Sequence, residues 1–453
     1  MLAFSFPQNP FALGSDTYEF WHLASNLLNT KQFIYTDVRY YPLFDIKDMV
    51  NGGLISLPVL CTARVPGYPF LLAMLRSFWD SPWIGLILNF IFYIGICLYG
   101  FAIGHIFLKS KISRNIYAIL LVFSPLYFTR WGLGADVPAA LFLTGFTYHA
   151  LRAYIADGSR SWHFVMICFW GIWTCLTRTN LFIFVLLLLL GLCSLTLIHK
   201  KGHKTWQWLA ILMIIFSALG LWAHRNQLLT GHPVISTQGG FVLYAVHLSY
   251  DIQENHPLYY WYKQGRKELM AKELANQKTF NQAEEIIDQK LKSVVMDYYH
   301  ENPIGMIKNW TECLRTFFLF SYYDISDILI YAFRSPADRA HFLETEHYQS
   351  LNPQEQNIHT ILFAVSRLYK IGLALGFFLF PLLLVSKKSH AFFNERELFV
   401  LLFLVSLAAV LATAFFTGAG GDRLRLPFNV FTLIFSFVTW LGLIQLLPSK
   451  VRV

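Results

Sequence analysis

The sequence is poor in charged residues, which make up 14% of its 453 positions. A soluble domain carries roughly 25% charged residues, so a water-soluble globule is excluded. Hydrophobic residues make up 55% of the chain and aromatic residues 17%. Aromatic side chains concentrate in membrane helices and at the headgroup level of the bilayer. These proportions predict an integral membrane protein.

Cysteine is also scarce, with six residues in the whole chain. Four lie inside apolar runs, where a thiol serves as a small hydrophobic group: Cys97, Cys168, Cys175 and Cys193. The other two, Cys61 and Cys313, form the only plausible disulfide pair.

Motifs for several common chemistries are missing. The chain has no G-x-x-x-x-G-K-[ST] loop for nucleoside triphosphates and no G-x-S-x-G nucleophile elbow. It has no C-x-x-C pair, and its 15 histidines are scattered along the chain. The sequence therefore indicates neither ATP-driven work nor a hydrolase serine. No metal site or cofactor is expected, although dependence on a divalent metal is left open.

Apolar runs predict about nine membrane spans, since a helix needs about 20 apolar residues to cross the hydrocarbon. They lie at 82–107, 115–129, 135–155, 161–176, 180–198, 205–224, 361–386, 397–416 and 426–447. The fold class expected is an all-α polytopic membrane protein.

The net charge of +9 comes from short basic clusters in alternate connections between these runs. Such clusters mark the cytoplasmic side of a membrane protein, so they predict topology and not nucleic-acid binding. The clusters are Lys109, Lys111 and Arg114; Arg152 and Arg160; Lys200, Lys201 and Lys204; Lys387, Lys388 and Arg396; and Lys450 and Arg452.

This topology predicts four parts. Residues 1–81 form an outer first loop with amphipathic helices, 82–224 a bundle of about six spans, 225–360 an outer helical segment, and 361–453 about three C-terminal spans. Residues 1–30 lack the pattern of a cleavable signal peptide. The N-terminus is therefore expected outside, which requires either translocation of the tail by the first span or a further helix upstream. The second alternative is preferred, on a family resemblance described below.

The outer segment 225–360 is expected to contain an amphipathic helix. Apolar residues recur there at helical spacing among acidic and basic ones: Ile286, Ile287, Leu291, Val294, Val295 and Tyr298. A break at Asn302-Pro303 precedes an aromatic run, Met306 to Phe320, which is suited to lie along the membrane interface.

Two outer carboxylates are candidate functional groups. Asp16 begins an amphipathic stretch, and Asp136 stands before Pro138 at the mouth of a span. Both have a structural alternative. Asp16 with Glu19 three residues later has capping-box spacing, and Asp136 can be a helix cap. A capping carboxylate is also well placed to accept a proton.

Arginines lie at the outer ends of apolar runs, against the charge pattern of a membrane protein: Arg178, Arg225, Arg423 and Arg425. Taken singly, each has the alternative of interfacial snorkelling. Together they indicate an anion, because a guanidinium binds phosphate through paired hydrogen bonds. The phosphate of an outer-leaflet lipid is the obvious ligand.

These motifs, in this order, resemble the GT-C glycosyltransferases of family 39, which include protein O-mannosyltransferases and the aminoarabinose transferase of lipid A. The resemblance covers nearly the whole chain, although no single motif is specific. It is carried by Asp16, Arg64-Val65-Pro66-Gly67-Tyr68-Pro69, Asp136 before Pro138, Ala223-His224-Arg225-Asn226, Ser236-Thr237-Gln238-Gly239-Gly240 with Leu243-Tyr244, and Asp422-Arg423-Leu424-Arg425-Leu426-Pro427.

The resemblance implies a sugar donor carried on polyprenyl or dolichyl phosphate and a lipid, glycan or protein acceptor. Asp16 would be the general base and Asp136 a second acidic group near the sugar. The resemblance also implies that the lipid phosphate is bound by Arg64, Arg225, Arg423 and Arg425. It further implies a substrate pocket lined by Tyr18, Tyr68, Arg178, Gly239 and Tyr244. The membrane expected is a bacterial inner membrane, with the site on its outer face.

Two departures from the family pattern matter. The family ordinarily has a membrane helix before the loop that holds its acidic residue, and this chain starts at the loop. Thr17 follows Asp16 where protein mannosyltransferases tend to carry a second acid, so protein is the less favoured acceptor. The alternatives are an O-antigen ligase or polymerase, whose first loop would not need the Asp16 and Arg64 motifs, and a flippase or transporter of lipid-linked sugars.

Overall fold

The computed structural model describes residues 15–37, 46–124, 134–156, 161–247, 261–319, 353–385, 394–417 and 425–446. Helices dominate these ranges, and the two short strands found there are β1 (Ile34–Tyr35) and β2 (Val59–Leu60). The strands pair antiparallel, with Ile34 opposite Leu60 and Tyr35 opposite Val59. They fasten two parts of the first loop to each other.

Six helices of the described part are long and apolar enough to cross a membrane. They coincide with six of the predicted spans, which confirms an all-α, multi-pass membrane architecture. These helices are α4 (Pro82–Phe107), α8 (Phe182–Ile198), α9 (Gly202–Thr230), α14 (Pro353–Val385), α15 (Arg396–Thr417) and α16 (Asn429–Leu446); short 3₁₀ turns at Thr179–Leu181 and Leu426–Phe428 precede α8 and α16.

The other three predicted spans have different outcomes. Residues 161–176 form α7 (Ser161–Thr177), an apolar helix shorter than a usual span. Residues 135–155 form α6 (Asp136–Ile155), which is buried along nearly its whole length in the centre of the bundle. Helix α5 (Lys111–Val122) covers only part of 115–129, and residues 125–133 lie outside the described ranges. The total of nine spans stays a prediction.

The remaining helices belong to the first loop and to the segment after α9. They are α1 (Ser15–Thr30), α2 (Lys47–Asn51), α3 (Gly67–Arg76), α10 (Gly239–His247), α11 (Arg266–Ala275), α12 (Phe280–Glu301) and α13 (Pro303–Leu319), with a π-helical turn at Trp261–Gly265 before α11. Helix α12 is the predicted amphipathic helix. A capping box of Thr279 and Gln282 begins it, and the predicted break at Asn302 ends it.

The apolar core has two main parts. One fills the helix bundle and contains most of α6, together with buried faces of α4, α8, α15 and α16. The other packs the first loop against α10 and α12, and it includes Leu23, Tyr35, Cys61, Tyr244 and Leu291. The first loop and the segment after α9 thus share one core, although about 200 residues separate them along the chain.

Cys61 and Cys313, the one candidate disulfide pair of the sequence, form no disulfide, because all six cysteines are free thiols. Cys61 instead lies in the core of the first loop, with its Sγ 3.4 Å from the hydroxyl of Tyr35. Burial raises the pKa of both thiols to about 12, so each is protonated at neutral pH. A buried, protonated thiol behaves as a small apolar group and is inert to oxidation.

Those basic residues of the predicted cytoplasmic connections that the structure describes, such as Lys109, Arg152, Lys204 and Arg396, gather at one end of the bundle. Lys204 Nζ caps the C-terminus of α6 by donating to the carbonyls of Tyr154 (3.1 Å) and Ala156 (2.5 Å). His199 lies 2.8 Å from Glu397 at the start of α15. Because α6 has 20 residues, this basic end lies about 30 Å from Asp136 at the other end of the helix.

Candidate functional site

Glu19 and Arg64 form a buried ion pair in the first loop. Arg64 Nε donates to both carboxylate oxygens of Glu19, at 2.9 and 3.0 Å, and Arg64 Nη2 lies 2.6 Å from Oε2. Only 3% of Glu19 is exposed. The guanidinium also lies 5.3 Å from the centre of the Phe20 ring. Arg64 is therefore held in one orientation on α1 by a bidentate pair and an aromatic face.

Tyr35 and Cys61 extend this pair into a network. The Tyr35 hydroxyl donates to Glu19 Oε1 at 2.5 Å, and Cys61 Sγ donates to the Tyr35 oxygen. Burial raises the pKa of Tyr35 well above its ordinary value, and the neighbouring Cys61 and Glu19 raise it further. Tyr35 is thus a permanent donor at neutral pH, which fixes the rotamer of Glu19.

Arg225 joins the network from the end of α9. Its Nη1 donates to the carbonyl of Cys61 at 2.6 Å and to Oδ1 of Asn226 at 2.8 Å, and its guanidinium lies 4.8 Å from the Trp222 ring. Two of the predicted phosphate-binding arginines, Arg64 and Arg225, are therefore anchored to the same short stretch of the first loop. Both remain partly exposed.

Asp136 and Arg178 form a second ion pair, at the mouth of the bundle. Asp136 is the first helical residue of α6, and Ala135 occupies the cap position. Its carboxylate therefore pairs with an arginine and does not stand at the cap. Burial raises the pKa of the Tyr68 phenol, and the nearby Asp136 carboxylate raises that pKa further. Tyr68 thus keeps its proton beside this pair.

The two ion pairs belong to one region. The rings of Phe20 and Tyr68 meet edge to face, with centroids 5.2 Å apart. Both rings pack in one apolar cluster with Ala135, the residue before Asp136. Asp16 lies four residues before Phe20, so its backbone is one turn away on the same side of α1. The side chain of Asp16 lies outside the described residues.

A glycine sets the spacing between α3 and the turn at Arg178, which follows the end of α7. This turn is called the Arg178 turn below. A Cβ at Gly67 would lie 2.5 Å from the carbonyl oxygen of Leu176 and 2.9 Å from the amide nitrogen of Thr177. Only glycine lets the two backbones approach this closely. Gly67 therefore positions its neighbour Tyr68 beside the Asp136–Arg178 pair.

Helix α12 contributes three buried acids on the side of the first loop that holds Arg225: Glu284, Glu285 and Asp288. Thr62 donates to Glu284 at 2.5 Å, next to the Cys61 carbonyl that Arg225 binds. Asp288 accepts the backbone N–H groups of Gly240 and Phe241 and pairs with Lys292 at 2.6 Å. Asp288 thus caps the N-terminus of α10, where a negative charge is favourable.

We expect replacement of Glu285 by glutamine to stabilise the protein at neutral pH. Burial raises the pKa of Glu285, and the charge of Asp288 raises it further. The folded state therefore holds this proton more tightly than the unfolded chain. The free energy of unfolding then falls as pH rises from the ordinary carboxyl pKa through the raised one. Glu285→Gln removes this loss.

The measurement is the thermal unfolding midpoint of purified protein in detergent across that pH range. The matched control is Glu301→Gln, an exposed position at the end of the same helix. The native protein and the control should lose stability together as pH rises, while Glu285→Gln loses less. Parallel curves for all three proteins would contradict the expectation.

The other predicted site residues are distributed as follows. Tyr18 is 40% exposed on α1. Gly239 and Tyr244 lie on α10 against α12, away from the Asp136 pair. Arg425 is only 2% exposed, and its Nη1 donates to the carbonyl of Phe318. Arg423 lies outside the described residues.

The sequence interpretation missed Glu19, Glu284 and Asp288 as central groups. Glu19 entered only as the capping-box partner of Asp16, whose side chain lies outside the described residues, and the structure shows that the Glu19 carboxylate accepts from Arg64 and Tyr35. Glu284 and Asp288 are two of the acidic residues among which the apolar residues of the predicted amphipathic helix recur, which places them on its polar face, but both are buried. For Glu284 and Asp288, a signal was available in their spacing. They are four residues apart and fall on the same helical face as Leu291.

Among the residues that the structure describes, no group of three or more histidine, cysteine or acidic side chains could hold a metal ion. Comparisons with protein-family models, with curated proteins and with solved structures found no match to this chain.

Proposed function

We propose that this protein is a membrane glycosyltransferase that transfers a sugar from a polyprenyl or dolichyl phosphate to an acceptor hydroxyl outside the cytoplasm. The observation that carries the proposal is the convergence of the first loop on the mouth of α6. Phe20 and Tyr68 bring the turn that contains Asp16 to the Asp136–Arg178 pair. The family resemblance of the sequence assigns these same carboxylates to the reacting groups.

The placement of charge along α6 supports an extracytoplasmic site. Asp136 begins the helix, and the basic cluster around Lys204 surrounds its other end. Basic residues collect on the cytoplasmic side of membrane proteins. The candidate site, at the opposite end, is then on the outer face, where the substrate would be a lipid-linked sugar and not a soluble nucleotide sugar.

The chemistry would be a displacement at the anomeric carbon. The acceptor oxygen forms a bond to this carbon, the bond from carbon to phosphate oxygen breaks, and its electron pair leaves with the lipid phosphate. Asp16 takes the proton of the acceptor hydroxyl. Asp136, held by Arg178, is the second acid beside the sugar.

The anchored arginines suit the leaving phosphate. Arg64 and Arg225 are fixed by Glu19 and by the Cys61 carbonyl, and both are partly exposed. Donors that are already oriented stabilise developing negative charge at no cost in reorganisation. Arg425 is less suited to a direct contact, because it is buried against the carbonyl of Phe318.

The test uses membranes that contain the protein, incubated with radiolabelled polyprenyl-phosphate hexoses or pentoses. We expect label to appear in an extractable acceptor, and Asp16→Asn to reduce the transfer rate by about 10²- to 10⁴-fold, the usual contribution of a general base. A residual rate would come from the phosphate-binding groups.

The matched control is Asp297→Asn, an exposed aspartate of α12 whose carboxylate contacts only Ser293 among the described residues. It should transfer sugar at the native rate. If no donor gave transfer while labelled lipid moved between leaflets in both variants and the native protein, the proposal would be replaced by a flippase.

A further inference from the structure

A cavity of about 510 Å³ opens at the basic end of the bundle, away from the candidate site. The ends of three helices surround it. His105 and Ile106 come from the end of α4, Arg152 and Ile155 from the end of α6, and Asn394 to Arg396 from the start of α15. Lys109, from the connection after α4, completes the lining. The volume of the cavity is sufficient for a phosphate group with part of the molecule attached to it.

The lining is predominantly cationic. Lys109, Arg152 and Arg396 face one acid, Glu395, so three positive charges oppose one negative charge. Arg114 adds a further cation behind the wall, since it bonds His105 Nδ1 at 2.7 Å and the carbonyl of Lys109 at 2.9 Å. A cleft lined mainly by charges of one sign concentrates their field on a small anion.

Helix ends strengthen the positive potential. Helix α15 begins at Arg396, so the free N–H groups of its first turn lie beside the cavity. The C-terminal carbonyls of α6 would oppose an anion, but Lys204 Nζ caps those of Tyr154 and Ala156. The negative end of α6 is thus neutralised, while the positive end of α15 faces the cavity and carries one acid in its first turn, Glu397, which lies 2.8 Å from His199.

Arg152 is the side chain best placed to bind a ligand. Arg396 already donates to the carbonyl of Leu384 at 3.1 Å. The guanidinium of Arg152 makes no hydrogen bond or ion pair with the part of the chain that the structure describes, although the residue is half-buried. A guanidinium whose N–H donors are available in a cavity wall favours an anion that accepts two hydrogen bonds at once, such as a phosphate.

We propose that this cavity binds a phosphate-bearing anion at the membrane boundary opposite the candidate site. The phosphate can belong to the headgroup of an anionic phospholipid in that leaflet or to a soluble phosphate ester. Basic pockets between membrane helices bind lipid headgroups in this way. This inference is independent of the proposed glycosyltransferase activity.

The experiment uses the full chain in nanodiscs of phosphatidylcholine, with and without phosphatidylglycerol. Native mass spectrometry of protein released from the discs counts the phosphatidylglycerol retained. A second arm titrates glycerol phosphate into the phosphatidylcholine discs and follows the thermal unfolding midpoint. We expect Arg152→Gln to weaken the binding of the phosphate-bearing ligand about tenfold.

The matched control is Arg315→Gln, which removes an exposed arginine of α13 that pairs with Glu312 outside the cavity. It should bind as the native protein does. Loss in the first arm alone assigns the site to a lipid headgroup, and loss in the second alone to a soluble ester. Both results support a phosphate site. Equal binding by the native protein and both variants, or no binding in either arm, would overturn it. Unchanged unfolding midpoints without ligand show that Arg152→Gln folds.

Discussion

Replacing Glu19 by glutamine is expected to lower the free energy of unfolding by about 3 kcal/mol, because it removes the buried carboxylate that Arg64 binds through two nitrogens. Glu19 is 3% exposed and accepts from both Arg64 and Tyr35. Arg64→Gln removes the cation that the buried Glu19 carboxylate binds and should cost a similar amount. Removing both charges should cost less than the sum of the single changes.

The measurement is a double-mutant cycle on purified protein, with unfolding followed by denaturant titration in mixed micelles. The matched comparison is the exposed pair of Glu312 and Arg315, three residues apart on α13. Loss of an exposed pair costs less than about 1 kcal/mol, so Glu312→Gln should be nearly neutral. Additive effects at Glu19 and Arg64 would show that the pair contributes no coupling and that α1 is held by its apolar contacts alone.

Gly67→Ala is expected to impair both stability and sugar transfer, although it adds a single methyl group. The new Cβ would lie 2.5 Å from the Leu176 carbonyl oxygen, and the neighbour is backbone, which has no alternative rotamer. Overpacking of this kind costs about 1 to 3 kcal/mol. Helix α3 must then move away from the Arg178 turn, taking Tyr68 with it. A displacement of about 1 Å at a reacting site can lower a rate about 10²-fold.

The matched control is Gly220→Ala in α9, where a Cβ would meet nothing within 4 Å. Alanine is the better helix former, so this variant should be as stable as the native protein or more so. Unfolding midpoints and transfer rates of the three proteins would be compared in the same membranes. A Gly67→Ala protein with native stability and native transfer would contradict the close approach of α3 and the end of α7.

The spans were predictable because a single physical requirement governs them. A helix in hydrocarbon must satisfy its backbone internally and present about 20 apolar residues, and runs such as 82–107 meet that requirement without reference to any other part of the chain. Helix α6 shows where this reasoning stops. Its burial depends on the helices that surround it in the bundle.

The pairing of charges could not be predicted, because partners far apart in sequence meet only after the helices pack. Arg64 lies 45 residues from Glu19, and Thr62 lies 222 residues from Glu284. Spacing along one helix predicted a cap for Glu19, since a local partner is the only one that sequence can supply. The contact with Arg64 joins residues that only the folded chain brings together.

The sequence by itself determined that this chain is helical and that it crosses a membrane several times, and it predicts that the basic clusters share one side, since apolar length and charge placement are local properties. Only the tertiary structure decided which acid binds which arginine, because Glu19 and Asp136 are buried together with arginines from distant segments. A buried charge requires a partner, and packing chooses among the cations that the sequence offers.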